Sequence, residues 1–144
     1  YDVLDHFDHL RETLVKFGMV LSAKITSAKV ILAQRTVIGA SERIPELGSR
    51  FYERGPKRGH DKVVIFLREA VERGLLEIED VELAAYQFTE LCLSGLFRQC
   101  IFAYRTKAPT QAEIEHVVRS GVNVFLKAYG TDKLAAEEQA GQSN

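Results

Sequence analysis

The chain of 144 residues contains no tryptophan, one methionine, three prolines and two cysteines. Two cysteines suit a reducing compartment, and Cys92 and Cys100 lie about 12 Å apart along one predicted helix, too far for a disulfide. No apolar run reaches the roughly 18 residues that a membrane span needs, and no signal-peptide pattern opens the chain. These absences argue against a disulfide-stabilised secreted protein and a membrane protein, and we expect a cytoplasmic one.

The chain also has very little net charge. Nineteen Lys and Arg residues face twenty Asp and Glu residues, which gives a formal net charge of -1. A nucleic-acid surface needs a local excess of positive charge to neutralise phosphates, so we do not expect these residues to bind DNA themselves. The apolar fraction of 46% and the charged fraction of 27% are typical of a globular protein, and the length suits one domain.

Strand signals are missing too, because strict apolar–polar alternation nowhere meets a hairpin turn such as Asn-Gly or Asp-Gly. Apolar residues instead recur at three- and four-residue steps, which is the period of amphipathic helices. We predict an all-α fold, an antiparallel bundle of about six helices. The predicted helices cover residues 2–21, 26 or 27 to just before 45, 45–54, 57–73, 81–104 and 110–129.

The predicted helix ends carry recognisable capping residues. Hydroxyl and carboxylate side chains at a helix start accept hydrogen bonds from free backbone N–H groups, and glycine commonly ends a helix. Residues 1–130 are predicted to form one domain, and residues 131–144, which are polar and small, a flexible tail. The caps and stops are Thr26 or Ser27, Asp80, the capping box of Thr110 with Glu113, Gly74 and Gly130.

Few groups have the spacing of metal ligands. They are the cluster Asp2, Asp5, His6, Asp8 and His9, and the pair Glu113 and His116. One exposed helix face supplies too few convergent ligands for a selective metal site, and a di-iron bundle needs two Glu-x-x-His motifs. We therefore expect no enzyme, no catalytic residue, no metal and no cofactor. A helical carboxylate metalloenzyme is the alternative.

Two predicted helices, 81–104 and 110–129, are more apolar than a monomer of this size needs. Gly95 and Gly121 lie in their apolar faces, and glycine inside a helix costs up to about 1 kcal/mol, so each indicates close approach of another backbone. That backbone belongs either to a second copy or to a crossing helix of the same chain. We predict a two-fold homodimer. Its predicted interface is Phe88, Leu91, Gly95, Val117, Val118, Gly121, Val122 and Phe125.

Polar side chains also lie among apolar ones on the predicted inner faces. A mostly apolar cavity with a few polar groups is typical of a small-molecule site, although each of these residues also suits the edge of a core. They are Arg35, Tyr86, Gln87, Thr89 and Gln99. The mildly basic stretch 50–62, which includes His60, is predicted to be a solvated helix face.

Ordered sequence segments resemble a known family. They are RTVIGASERIPEL at 35–47, FYERGP at 51–56, Gly74-Leu-Leu, Asp80, Ala84-Ala85, Phe88, Pro109, Glu113-Ile114, Val117 and the final Phe125-Leu-Lys-Ala-Tyr-Gly. In order and spacing they resemble the C-terminal regulatory domain of TetR/AcrR-type bacterial transcriptional repressors, the AefR-like branch in particular. The resemblance covers about residues 26–130.

This resemblance implies a homodimer whose last two long helices form a four-helix interface. Operator DNA is contacted only through an N-terminal helix-turn-helix domain, which these 144 residues do not include. A small apolar effector bound by the C-terminal domain modulates operator binding. The implied pocket positions are Phe17, Leu21, Ile31, Arg35, Ile38, Phe66 and Tyr86. A helical interaction module without a ligand is the remaining alternative.

Overall fold

Helices occupy most of the chain in the computed structural model, which describes residues 7–142. The all-α prediction is confirmed, and the number of helices in this range is eight rather than about six. None of them is long and apolar enough to cross a membrane. The helices are α1 (Leu10–Ile25), α2 (Ala28–Ala40), α3 (Pro45–Arg54), α4 (Pro56–Glu72), α5 (Val81–Cys92), α6 (Leu96–Ile101), α7 (Gln111–Tyr129) and α8 (Asp132–Gln142).

The core is formed where α7 packs against both α1 and α5. Each of the three helices contributes a phenylalanine that is at most 2% exposed. The rings of Phe17 and Phe88 stack with centroids 6.2 Å apart, and Phe125 meets Phe88 edge-on at 5.5 Å. Burying these three rings supplies a large share of the hydrophobic free energy of folding. The helices α2, α3, α4 and α6 cover one side of this core.

The predicted N-terminal caps of α2, α5 and α7 are confirmed. Ser27 accepts a hydrogen bond from the backbone N–H of Val30, and Asp80 accepts one from the N–H of Leu83. Thr110 and Glu113 form the full capping box, in which each side chain accepts from the backbone N–H of the other. The hydrogen bond from the Thr110 N–H, followed by that from a nearby arginine, lowers the pKa of Glu113. The carboxylate therefore stays ionised and holds the cap at neutral pH.

We expect Thr110→Ala to destabilise the domain by about 1 kcal/mol, because the first turn of α7 loses a hydrogen-bond acceptor. The measurement is the midpoint of urea unfolding, followed by circular dichroism. Thr36→Ala is the matched control, since Thr36 lies inside α2 and its hydroxyl bonds only to the Leu32 carbonyl of the same helix. An equal midpoint shift in both variants contradicts a capping role for Thr110.

The predicted helix 81–104 is divided in two, which corrects the prediction. The helix α5 ends at Cys92 and α6 begins at Leu96, with Gly95 between them at φ +76°. This left-handed conformation is one that glycine adopts without steric cost. A Cβ built at Gly95 meets no atom within 4 Å, so this glycine allows the turn and not a close helix approach.

The C-terminal segment is also different from its prediction, because residues 132–142 form α8 instead of a loose tail. Its Leu134 is buried in the core. The Thr131 hydroxyl donates to the Gly74 carbonyl at 2.6 Å, and Lys133 donates to the Arg73 carbonyl at 2.6 Å. Polar contacts and one leucine thus attach a segment that is made of polar and small residues.

The first helix starts later and ends later than predicted, since α1 runs from Leu10 to Ile25. Its apolar stripe faces the core as expected, with Leu10, Leu14 and Phe17 all buried. The part of the predicted helix before Phe7 lies outside the described residues. At the start of α1, the Arg11 guanidinium pairs with Glu138 of α8 at 2.6 Å.

Candidate functional site

One cavity of about 450 Å³ opens on the side of the domain that α2 and α3 cover. This volume is within the range of small-molecule sites in proteins. All of α1 to α6 contribute side chains to it, and most of the surface they present is apolar. The lining residues are Leu21, Lys24, Ile25, Val30, Ala33, Gln34, Phe51, Tyr52, Gly55, Pro56, Gly59, His60, Tyr86, Thr89, Glu90, Leu93 and Phe97.

The break between α3 and α4 shapes one wall of the cavity. Pro56 is the first residue of α4, where its missing N–H costs no helical hydrogen bond, and Gly55 precedes it at φ -114°. The break separates two short stretches that both reach the cavity. Tyr52 lies on α3 before the break and His60 lies on α4 after it. Without the break, Tyr52 and His60 would lie eight positions apart along the straight axis of a single helix.

A cluster of three aromatic side chains lies in the lining, and two of them, Tyr52 and Tyr86, are 44% and 46% exposed. The imidazole of His60 stacks on the ring of Tyr86 with centroids 3.8 Å apart and planes 15° from parallel. The hydroxyls of Tyr52 and Tyr86 are 3.0 Å apart and share a hydrogen bond. That hydrogen bond, with burial and the nearby carboxylates of Glu82 and Asp61, raises the pKa of Tyr86. Tyr86 therefore keeps its proton at neutral pH.

The cavity lining contains further polar groups. The Nδ1 atom of His60 is buried and has no hydrogen-bond partner among the described residues. The amide nitrogen of Gln34 donates to the Ile25 carbonyl at 3.1 Å, so the turn after α1 is tied to α2 at the cavity wall. The charged residues in the lining are Lys24 and Glu90.

The structure brings Leu21 and Tyr86 of the implied pocket positions into this lining, together with Thr89, one of the polar residues of the predicted inner faces. Phe17 and Phe66 are each 2% exposed and belong to the hydrophobic core. Ile31 is buried beside the cavity without lining it. The structure therefore buries these three side chains outside the lining instead of in the pocket as predicted, because the apolar stripe of a helix points to the core first.

The remaining two predicted positions, Arg35 and Ile38, also lie outside the lining. Arg35 donates to the carbonyls of Cys100 at 2.6 Å and Ile101 at 3.0 Å. These carbonyls lie at the C-terminal end of α6, where the Cys100 carbonyl also accepts from the Ala103 N–H of the following turn, so the guanidinium adds to the C-terminal cap. Ile38 is 60% exposed on the surface of α2.

Several lining residues were not predicted, above all Phe51, Tyr52, Gly59, His60 and Phe97. His60 falls in the basic stretch that was predicted to be a solvated face. The sequence does hold one relevant signal, since two adjacent aromatics at 51 and 52 precede a Gly-Pro break. Aromatics beside a helix break are available to a cavity because they do not belong to a continuous core stripe.

The predicted interface residues divide into two groups in the structure. Phe88, Val118, Val122 and Phe125 are at most 1% exposed and fill the core of a single chain, so they are not available to a partner. Leu91 and Val117 are half-buried at its edge. For these two, and for the homodimer itself, the prediction stays a prediction.

Packing within one chain explains why residue 121 is a glycine. A Cβ built there lies 2.9 Å from the carbonyl oxygen of Leu91 and 3.2 Å from the Leu91 Cβ. The glycine thus allows α7 to approach the backbone of α5 in the same chain. Of the two explanations that the sequence left open for this residue, the structure shows the intramolecular helix crossing.

The outer face of α5 and α7 carries a shallow groove of about 520 Å³. Val124 lines the groove, and Leu83 lies one helical turn before the lining residue Gln87 on α5. Both side chains are 51% exposed. Tyr129 donates a hydrogen bond to Gln87 across the groove. We call this surface the α5/α7 face and define it by Leu83, Gln87, Glu90, Leu91, Ser94, Val124 and Ala128.

Residues 12–131 match the protein family described as the C-terminal domain of AefR-like transcriptional repressors. The chain belongs to this family. The match covers helices α1 to α7 almost completely, and with them the whole cavity lining. A comparison with the curated proteins finds no significant match to this AefR-like domain.

Solved structures of TetR-family regulators share the fold of the AefR-like domain. A regulator from Mesorhizobium loti has a TM-score of 0.81 and 24% identity over 90% of this chain and 63% of its own. The flavonoid-responsive regulator FrrA has a TM-score of 0.73 and 28% identity over 84% of this chain and 61% of its own. A regulator from Pseudomonas syringae pv. tomato has a TM-score of 0.66 and 26% identity over 84% and 60%. The chain spans about three fifths of each of these structures.

The family and its structural neighbours are transcriptional regulators. Among residues 7–142, no group of three His, Cys, Asp or Glu side chains is arranged to hold a metal. Glu113 is engaged by its cap and by Arg105. The predicted cluster at Asp2, Asp5 and His6 lies outside the described residues, whereas Asp8 and His9 precede α1.

Neither cysteine has the surroundings of a nucleophile in the AefR-like domain. Cys92 and Cys100 are both free and buried, as predicted. Burial raises the pKa of the Cys92 thiol to about 12. Burial also raises the pKa of Cys100, although Arg105 and Arg35 oppose that effect. Both thiols are therefore protonated at neutral pH, and the protonated form is the unreactive one.

Proposed function

We propose that this AefR-like domain binds a small, largely apolar effector in the 450 Å³ cavity and joins two chains into a homodimer. An N-terminal helix-turn-helix domain would bind the operator, and the effector would modulate that binding. The protein would act in the cytoplasm. TetR-family regulators generally act as dimers that bind small effectors and operator DNA, which supports this assignment. The observation that carries it is a cavity lined by α1 to α6 in a chain of a repressor family.

The helix α1 provides a physical route from the cavity to a preceding domain. Leu21, Lys24 and Ile25 at its C-terminal end line the cavity. Its N-terminal end at Leu10 lies 15 residues, or about 22 Å, from Ile25 and follows the preceding part of the chain. A ligand that binds one position of α1 better than another shifts the population toward that position. The shift would then move whatever precedes α1.

The relationship to FrrA suggests the first effectors to test. FrrA is described as flavonoid-responsive and shares 28% identity with this chain. The cavity presents aromatic side chains and a mainly apolar surface, which suit a flat, mostly apolar molecule. Flavonoids are therefore the first compounds to include in a wider library of small molecules.

The experiment that tests the function fills the cavity with a side chain. Gly59 lines the cavity, and a Cβ built there meets no atom within 4 Å, so a Gly59→Phe side chain starts in open space and extends into the volume an effector would use. We expect this variant to fold and to lose the rise in melting temperature that effectors give the wild type. A bound effector at 100 times its Kd stabilises by about 2.7 kcal/mol, which is several degrees.

Gly39→Phe is the matched control for this experiment. Gly39 also lies inside a helix and has open space around its Cβ position, but it does not line the cavity. A compound that stabilises the wild type and Gly39→Phe, but not Gly59→Phe, binds in the cavity. The proposal fails if native mass spectrometry finds no bound molecule in the purified chain and no compound in the library raises its melting temperature.

A further inference from the structure

We propose that the cavity selects a neutral aromatic molecule that carries a phenolic hydroxyl, which hydrogen-bonds to the hydroxyl pair of Tyr52 and Tyr86. This inference rests on the proposed function and specifies the chemistry of its effector. The pair is the one place in the lining where two side-chain hydroxyls, 3.0 Å apart, face each other among the described residues.

Counting donors and acceptors shows what the pair can still do. Each tyrosine hydroxyl has one O–H donor and lone pairs that accept. Their mutual hydrogen bond uses one donor and one acceptor. One O–H and further lone pairs remain, so the pair can donate to a ligand and accept from it at once. A phenol has the same double capacity, whereas an ether or a hydrocarbon lacks the donor.

The pair is held in position before a ligand arrives. The ring of Tyr86 lies against His60 at 3.8 Å, which fixes the direction of its hydroxyl. Groups that are already ordered lose less entropy when a ligand binds. Phe51 and Phe97 add two half-buried aromatic side chains to the same lining. A flat ring can therefore contact aromatic walls while its hydroxyl reaches the tyrosines.

The charges around the pair favour a neutral ligand over an acid. Glu82 lies four residues before Tyr86 on the same face of α5, and its carboxylate, with that of Asp61 more weakly, disfavours negative charge at the Tyr86 oxygen. Lys57 pairs with Asp61 at 3.2 Å, but Glu90 adds another carboxylate in the lining. Lys24 is the one cation in that lining. A ligand carboxylate near Tyr86 would meet repulsion that a neutral phenol avoids.

The test compares three probes that share one scaffold. They are flavone without a hydroxyl, flavone with one hydroxyl on the phenyl ring, and flavone with a carboxylate at that ring position. Binding to the full 144-residue chain is measured by isothermal titration calorimetry. We expect the hydroxylated probe to bind about tenfold more tightly than flavone, the worth of one good hydrogen bond, and the carboxylate to bind most weakly.

Tyr86→Phe removes the hydroxyl and keeps the ring that stacks on His60. We expect it to abolish the tenfold preference, so that flavone and its hydroxylated form bind this variant equally. Tyr104→Phe is the matched control, because Tyr104 is exposed and lies outside the cavity lining. It should retain the full preference. Together these results would assign the preference to the Tyr86 oxygen.

Four outcomes overturn the inference. The first three are equal affinity for flavone and its hydroxylated form, a preference that persists in Tyr86→Phe, and tighter binding of the carboxylate. The fourth is failure of all three probes to bind. That failure leaves the proposed function standing if another compound stabilises the chain and Gly59→Phe abolishes the effect, so the two proposals fail in distinguishable ways.

Discussion

Replacing Gly121 by alanine is expected to destabilise the domain by about 1–3 kcal/mol, the cost of adding a methyl group to a closely packed site. The new Cβ would lie 2.9 Å from the Leu91 carbonyl oxygen and 3.0 Å from its carbonyl carbon. These are backbone atoms of α5, so no side-chain rotation can relieve the clash. The helices α5 and α7 must separate, and the core between Phe88 and Phe125 loosens with them.

The sign of this prediction is informative because helix propensity acts in the opposite direction. Alanine inside a helix is more favourable than glycine by up to about 1 kcal/mol. Gly59→Ala is the matched control, since Gly59 lies inside α4 and a Cβ there meets nothing within 4 Å. We expect Gly59→Ala to raise the urea midpoint and Gly121→Ala to lower it.

The measurement is urea unfolding at several protein concentrations. If subunits associate, the midpoint depends on concentration, and extrapolation to low concentration isolates the effect within one chain. An unchanged or higher midpoint for Gly121→Ala would mean that α5 and α7 are not as close as the structure shows. Disruption of a dimer without loss of chain stability would instead restore the intermolecular explanation of this glycine.

Local signals account for what the sequence predicted well. A cap such as Ser27, Asp80 or Thr110 acts on backbone groups within three residues of itself, so its effect is readable from the sequence alone. The same holds for Pro45, which starts α3 where predicted. The all-α class follows from the helical period of the apolar residues, which needs no knowledge of what each face contacts.

Packing explains what the sequence could not decide. Phe88 and Leu83 both lie on the apolar circumference of α5, yet Phe88 is fully buried and Leu83 is 51% exposed. A helix that is apolar nearly all round does not reveal which side faces its own chain. Gly95 presented a similar ambiguity, since a glycine in an apolar run suits both a close approach and a break, and only its φ of +76° separates them.

The cavity was predictable only in part, because its residues come from distant segments. Tyr52, His60 and Tyr86 meet through the break between α3 and α4 and through the packing of α4 on α5. No periodicity within one helix contains that information. Leu21 and Tyr86 were identified from helix faces, and the aromatic partners on α3 and α4 were not.

Replacing Val124 by glutamate is expected to dissociate the proposed homodimer. Val124 is 51% exposed on the α5/α7 face, and within one chain the new carboxylate can point into solvent. In a two-fold interface the substitution enters twice, and each copy places an unpaired charge against an apolar surface. Leaving one such charge buried costs about 3–5 kcal/mol, so even one copy raises the dimer Kd by about two to four orders of magnitude.

Ile65→Glu is the matched control, because Ile65 is a 70% exposed aliphatic residue on α4, outside the α5/α7 face. Analytical ultracentrifugation over a range of concentrations should show dimers for the wild type and Ile65→Glu, and a 16.2 kDa monomer for Val124→Glu. Equal unfolding midpoints at low concentration would confirm that both variants fold. Dissociation by Ile65→Glu alone would move the interface to α4, and a monomeric wild type would remove the homodimer. Since Phe88, Val118, Val122 and Phe125 are committed to the core, the α5/α7 face offers exposed apolar side chains on both predicted interface helices that a second subunit can still reach.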